Sequence, residues 1–107
     1  MIPRVVLVDE DEQQLKSIDQ WWVANRQASP DLFLDELAGA IDLLSELPDI
    51  GSPFKRTNRP GIRRLLLRRS KYCIYYFHDR HRSMVYILAI WSTFRGSDPR
   101  LPEPRLK

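Results

Sequence analysis

Apolar residues recur at two spacings along this chain, helix-like in its first half and strand-like in its second. Pro3 to Val8 is rich in branched side chains and predicts a short strand. Asp9-Glu10-Asp11-Glu12 follows, an acidic cluster suited to the positive end of a helix dipole. Leu15, Ile18 and Trp22 then recur at i, i+3 and i+7, which predicts an amphipathic helix ending near Asn25. Trp21 and Trp22 cannot both face one core. Trp22 fits the stripe, leaving Trp21 partly exposed or in an interface. A second helix start is read at Ser29-Pro30-Asp31: serine can accept a bond from a free helix amide, proline suits the first turn, and aspartate complements the dipole. Its stripe runs through Phe33, Leu34, Leu37, Ala38, Ile41, Leu44 and Leu47 and closes at Pro48. The two helices form a hairpin.

Residues 49–61 break the pattern with Gly51, Ser52, Pro53, Thr57, Asn58, Pro60 and Gly61, and Lys55, Arg56 and Arg59 add charge. A connection of this length is long for a compact domain and reads as functional or mobile. Three strands follow, Ile62 to Arg69, Tyr72 to His78 and Met84 to Trp91, with Asp79-Arg80-His81-Arg82 as the polar turn between the last two. Short links make them antiparallel. By strict alternation, Leu65 and Leu67 share one face and Arg64, Leu66 and Arg68 the other. The next two strands are apolar on both faces: Tyr72, Ile74 and Tyr76 against Cys73, Tyr75 and Phe77, then Met84, Tyr86, Leu88 and Ile90 against Val85, Ile87, Ala89 and Trp91. The expected class is α+β: a short amino-terminal strand, a helical hairpin, then three antiparallel strands in one sheet packed on the helices. The hairpin covers one face, and nothing else in the chain is large enough to cover the other. That arginine-rimmed apolar face is a candidate partner surface, unless the helices wrap the sheet or the chain self-associates.

At 107 residues the chain fits one domain over 1–107, with 96–107 as an extended, proline-bearing tail. The single Cys73 excludes an internal disulfide framework and suits a reducing cytoplasm. The longest apolar stretch, Met84 to Trp91, is strand length, so secretory and membrane-spanning readings fail. The net charge of +3 conceals a division. Residues 1–54 carry 3 basic and 11 acidic side chains, net −8, whereas residues 55–107 carry 14 basic and 3 acidic, net +11. This asymmetry suggests an anionic partner for one surface, or acidic helices lying against a basic sheet.

The run Leu15-x-x-Ile18-x-x-Trp21-Trp22, the segment Leu47-Pro48-x-x-Gly51, and Arg63-Arg64-Leu65-Leu66-Leu67 followed by Tyr72-x-Ile74-Tyr75-Tyr76 resemble the ParE/RelE superfamily of bacterial toxins. The ending Val85-x-Ile87-Leu88-x-Ile90-Trp91-x-x-x-Arg95-Gly96 is similar to the last strand of its ParE-like branch. The likeness covers residues 3–101. It implies the toxin of a type II toxin–antitoxin module, cytoplasmic, with no membrane partner, neutralised by the carboxy-terminal segment of a cognate antitoxin. Operator DNA would be bound only through that antitoxin. ParE-like members poison DNA gyrase by binding it, and RelE-like members cut mRNA on the ribosome, so the likeness alone leaves the activity open.

Cutting RNA without a metal needs a base, an acid and cations around the phosphate. Arginine supplies the cation and is a poor proton shuttle. Where the RelE-like pattern has lysines on the first late strand, this chain has Arg64 and Leu66, and Cys73 stands where an arginine would follow the tyrosine. That departure favours a target-binding toxin with no catalytic residues. Were it a nuclease, Arg64, Arg68, Arg95 and Tyr72 would carry the chemistry. The expected partner-binding residues are Arg64, Arg68, Tyr76, Trp91 and Arg95, with guanidiniums pairing to an acidic antitoxin or target. For each arginine the alternative is a solvated or salt-bridged sheet edge. His78 and His81 read as solvated surface residues, Cys73 as a small core residue, and neither a metal nor another cofactor is implied.

Overall fold

The most branched and aromatic segments of the chain pair at the centre of the molecule. The computed structural model describes residues 3–26, 28–57, 59–99 and 101, with residues 9–12 described in their backbone only. Arg4–Leu7 (β1) is followed by helices Asp9–Asn25 (α1) and Leu32–Glu46 (α2). Strands Ser52–Pro53 (β2), Ile62–Leu67 (β3), Tyr72–Asp79 (β4) and Met84–Ser92 (β5) complete the order. The five strands form one sheet in the order β1-β5-β4-β3-β2, with β1 parallel to β5 and the rest antiparallel. The expected α+β class holds, with one strand more than predicted. That strand, β2, lies inside the predicted break and pairs Ser52 with Arg64 and Pro53 with Arg63; proline is tolerated there because β2 is an edge. The predicted tail beyond residue 101 lies outside the described residues.

Both helices cover one face. Ile18, Trp22, Phe33, Leu37, Ala40 and Leu44 pack on Leu67, Ile74, Tyr76, Val85, Ile87 and Ile90. Trp22 is 6% exposed and Trp21 47%, as the helical spacing predicts. In α2 the inward phase is Phe33, Leu37, Ala40 and Leu44 rather than one passing through Ala38, and Leu34 and Leu47 stay in contact with water. Ser29 does not cap the helix through its side chain, because Pro30 and Asp31 turn the chain before α2 begins and place Asp31 at the cap. Its carbonyl instead accepts the Trp22 indole N–H at 2.7 Å, closing the hairpin. The Glu36 carboxylate accepts the backbone N–H groups of Arg69 and Ser70, each at 2.8 Å, and fastens α2 to the β3–β4 turn.

Strict alternation fails in β5. Tyr75 lies opposite Ala89 and Tyr76 opposite Ile87, so Leu88 is the extra residue of a β-bulge. Val85, Ile87 and Ile90 therefore face the helices, while Tyr86, Leu88, Ala89 and Trp91 face away. The expected partition, with Ile90 beside Leu88 and both Ala89 and Trp91 beside Val85, is inverted beyond the bulge. Past the end of β1 the Gln14 side-chain oxygen accepts the Ile90 N–H at 3.3 Å, serving a donor that β1 is too short to reach.

The second face is not bare, contrary to expectation. Phe54, from the predicted break, is 5% exposed and joins Ile62, Cys73, Tyr75, Tyr86, Leu88 and Ala89 in a second core; Leu101 packs against it and Pro99 is buried. Sequence parity counted helices as the only available cover and overlooked one aromatic residue in a polar loop. The loop is held down at its start. Gly51 donates its N–H to the buried Tyr76 hydroxyl at 2.8 Å, and Arg63 Nη1 donates to the Gly51 carbonyl at 2.7 Å. Asp49 meets His78 Nδ1 at 3.2 Å and Arg80 Nη2 at 2.6 Å, with Arg63 Nε at 3.8 Å.

A side chain at position 51 would collide with that anchor, since a Cβ there would sit 2.7 Å from the Tyr76 hydroxyl and 2.8 Å from the Arg64 carbonyl. Gly51→Ala is expected to cost about 2–3 kcal/mol in urea unfolding. Tyr76→Phe should cost about 1 kcal/mol. The double variant should lose less than the two together, because both changes break one hydrogen bond. Full additivity would mean that the hydroxyl does not carry the anchor.

Burial raises the Asp49 carboxyl, but hydrogen bonds and charge from His78 and Arg80 outweigh it, so its pKa lies below the ordinary aspartate value. A carboxyl lowered by folding adds stability above its unfolded pKa of about 3.9, and that stability is lost as pH falls through the lower folded value. Asp49→Asn should therefore flatten the acid limb of a Tm–pH curve. At pH 7 it should cost about 0.5–1 kcal/mol, the range for solvent-accessible pairs. An unchanged acid limb would remove Asp49 from the anchor.

Candidate functional site

Register and loop placement together build one cationic pocket on the face away from the helices. Pairing sets Arg64 opposite Tyr75, with Cys73 opposite Trp91 in the next row, so their side chains share that face. Phe54 packs edge-on against Tyr75, with ring centroids 4.9 Å apart, and carries two guanidiniums, Arg64 at 5.7 Å and Arg56 at 5.8 Å. Beyond β5 the chain turns back as Arg95 N–H bonds to the Ser92 carbonyl, laying the Arg95 guanidinium 4.2 Å over the Trp91 ring. The Trp91 indole donates to the Ser97 carbonyl at 2.7 Å and ties the start of the tail to the sheet. The resulting cavity, of about 330 Å³, is lined by Arg56, Arg64, Cys73, Tyr75, Trp91 and Arg95 together with residues 96–98.

Its electrostatics are uneven. Arg56 pairs with Asp98 at 3.2 Å, whereas Arg64 and Arg95 have no carboxylate within ion-pair distance among the described residues. A hydrogen bond to the Tyr75 hydroxyl raises the Arg64 pKa above the ordinary arginine value, so its charge is permanent. Burial pushes the Cys73 thiol up, partly opposed by Arg64. The protonated thiol is a poor nucleophile. Two stacked guanidiniums with no ion pair among the described residues, beside an indole and a phenol, suit recognition of an anionic group by charge-assisted hydrogen bonds.

The sequence-predicted residues divide between places. Arg64, Trp91 and Arg95 come together in the pocket. Arg68 is exposed in the β3–β4 turn and does not line it. Tyr76 is fully buried on the helix side, where its hydroxyl holds Gly51, so it presents no surface to a partner. Tyr72 faces the helices, 5.2 Å from Phe33 ring to ring, with its pKa raised by burial; it shares that face with Leu65 and Leu67, and Arg64 lies on the other. Arg95 shares one cavity with Tyr72 and another with Arg64, but Tyr72 and Arg64 lie on opposite faces and Arg68 lines neither cavity, so the four residues a nuclease would use do not gather round one point. Arg56, Phe54 and Tyr75 were missed as site residues. For Phe54 the available signal was a lone aromatic in a loop of Gly, Pro and charge.

The family model for the ParE toxin of type II toxin–antitoxin system, parDE, matches residues 5–95. No curated protein matches the chain. Among the described residues, no helix is long and apolar enough to cross a membrane.

Proposed function

The chain belongs to the ParE toxin family of type II toxin–antitoxin systems, and from that premise we propose that it arrests growth by binding DNA gyrase without cutting nucleic acid. Family membership implies a cognate antitoxin as its partner. In this reading the antitoxin neutralises the toxin in the cytoplasm by laying an acidic, partly apolar segment against the arginine pocket. The observation that carries the reading is the pair Arg64 and Arg95, stacked on Phe54 and Trp91 with no carboxylate of their own among the described residues. The separation of Tyr72 from Arg64 supports binding over RNA cleavage, as do Leu66 and Cys73 where a nuclease of this kind carries basic residues. An arginine with a raised pKa holds an anion well and shuttles a proton badly.

Induction of the chain without its antitoxin tests the target. DNA breaks and a DNA-damage response with intact mRNA are the expected outcome. Codon-positioned mRNA cuts would overturn the gyrase reading in favour of a ribosome-dependent nuclease. Undisturbed growth with abundant soluble protein would assign a binding module without toxicity.

The neutralising contact has its own test. Arg64→Glu should weaken antitoxin binding about tenfold or more at low salt, with the effect shrinking as salt rises. Arg68→Glu, outside the pocket, should change it less. Equal effects of the two reversals would place the contact on a general basic rim instead of the pocket.

A further inference from the structure

Beyond β5 the chain stays on the face that carries the arginine pocket. The Trp91 indole donates to the Ser97 carbonyl at 2.7 Å, Asp98 Oδ2 lies 3.2 Å from Arg56 Nε, Pro99 is buried, and Leu101 packs against the second core. Asp98 is therefore held at the pocket by its neighbours on both sides as well as by its charge. It is the one carboxylate lining the cavity among the described residues. Arg56, Arg64 and Arg95 line the same space, and Asp98 pairs with only the first of them.

Its reach across the pocket is graded. Arg56 stands within ion-pair distance. At Arg64 the Tyr75 hydroxyl is the main cause of the raised pKa, and the Asp98 charge adds to it from farther off. Arg95 has no carboxylate within ion-pair distance among the described residues and packs on the Trp91 ring instead. The Arg56–Asp98 pair is also open to water, with side chains 70% and 36% exposed. Pairs of that kind are among the weakest in proteins, so an external anion can exchange with this one at a cost of about three- to fivefold in affinity.

That cost falls unequally on different ligands. A single carboxylate seated on Arg56 only trades places with Asp98, and one entering beside Arg64 meets its negative charge. An anion with two or more negative groups bears the same cost once and gains Arg64 and Arg95 together. We propose that Asp98 is a built-in counterion that sets the selectivity of the arginine pocket, turning away single carboxylates and yielding to ligands that present several negative groups at once. The inference rests on the reading of the pocket as a site for an acidic partner, and adds the kind of acidity that partner must bring: clustered carboxylates, not isolated ones.

The test uses the isotopically labelled full chain. The Trp91 indole signal is the reporter, and that of Trp22, bonded to the Ser29 carbonyl on the helix side, is the internal control. At low salt citrate should shift the Trp91 signal saturably in the millimolar range, and acetate at matched ionic strength should not. Asp98→Asn should tighten citrate about three- to fivefold and bring acetate into the measurable range. Asp98→Glu, which keeps the charge, should stay close to the parent chain. Asp79→Asn removes the same charge outside the pocket and should leave citrate binding unchanged. Equal citrate affinity in the parent chain and Asp98→Asn would overturn the proposal. An equal gain in Asp79→Asn would do so too, by reducing the effect to net charge. Citrate binding undiminished by Arg64→Gln would place the anion elsewhere and sink it as well. Citrate results as expected, with an antitoxin that binds Arg64→Glu normally, would uphold the role of Asp98 and remove the neutralising contact from the pocket. An antitoxin sensitive to Arg64→Glu, with citrate indifferent to Asp98→Asn, would do the reverse.

Discussion

The arrangement of the face that carries the arginine pocket depends on the bond between the Tyr76 hydroxyl and the Gly51 amide. Tyr76 lies at the centre of the sheet on the helix side, fully buried, and a buried phenol needs a partner. It finds that partner in Gly51, near the start of a long loop. With Gly51 fixed, Arg63 reaches its carbonyl and Asp49 gathers Arg63, His78 and Arg80. Three residues later the Phe54 N–H bonds to the Ile62 carbonyl, and its ring lands on Tyr75 across the sheet. Phe54 then supports Arg56 and Arg64. A hydrogen bond within one core thus decides where the cations of the opposite face stand. Any Cβ at residue 51 would break the chain of contacts at its first link.

The bulge at Leu88 acts at the other end of the site. Without the extra residue, Trp91 would face the helices and Ile90 the loop side. With it, Trp91 joins Cys73 and Tyr75 on the pocket face and supplies the ring under Arg95. Ile90 turns inward to floor a groove beside α1. One inserted residue therefore places Trp91 on the pocket side of the sheet and Ile90 on the α1 side, and the Gln14 bond to the Ile90 amide ties α1 to β5 there. Bulges commonly re-aim side chains in this way beside functional sites.

What the sequence makes legible is what local pattern encodes. The helices, the three long strands and the division between Trp21 and Trp22 follow from periods of 3.6 and 2, and the antiparallel order of the strands from their short links. The parallel seat of β1 against β5, the bulge and the cover of the second face do not, because each is set by contacts between residues far apart in the chain. Strict alternation assumes that no residue is inserted, and nothing local to Leu88 marks the insertion. Polarity hid Phe54: a loop of Gly, Pro, Lys and Arg reads as solvated, although one aromatic at its fixed end suffices to cap a sheet. Arg68 was grouped with Arg64 by parity, yet β3 ends at Leu67, and alternation has no meaning in a turn. Nothing local marks Tyr76 as a core residue, and only its burial shows that its hydroxyl is spent on Gly51.

The division of charge between the halves of the chain posed two alternatives, internal compensation or an external anionic partner. Among the described residues, compensation across that division falls largely on one side chain, Asp49, which pairs with Arg63 and Arg80. Glu36 gives its carboxylate to backbone amides of the β3–β4 turn, and burial notwithstanding, those bonds hold its pKa below the usual value. On the pocket side, among the described residues, only Arg56 has a carboxylate within ion-pair distance, and that partner, Asp98, comes from the basic half itself. Arg64 and Arg95 line one cavity with no carboxylate within ion-pair distance among the described residues, Asp98 acting on Arg64 only from farther off, and stacking on Phe54 and Trp91 contributes about 0.5–1 kcal/mol for each exposed contact. A carboxylate arriving from outside would add charge-assisted hydrogen bonds to guanidiniums that have no ion pair to break. The uncompensated pair is therefore a stronger pointer to an acidic partner than the net charge of the whole chain, which averages it away.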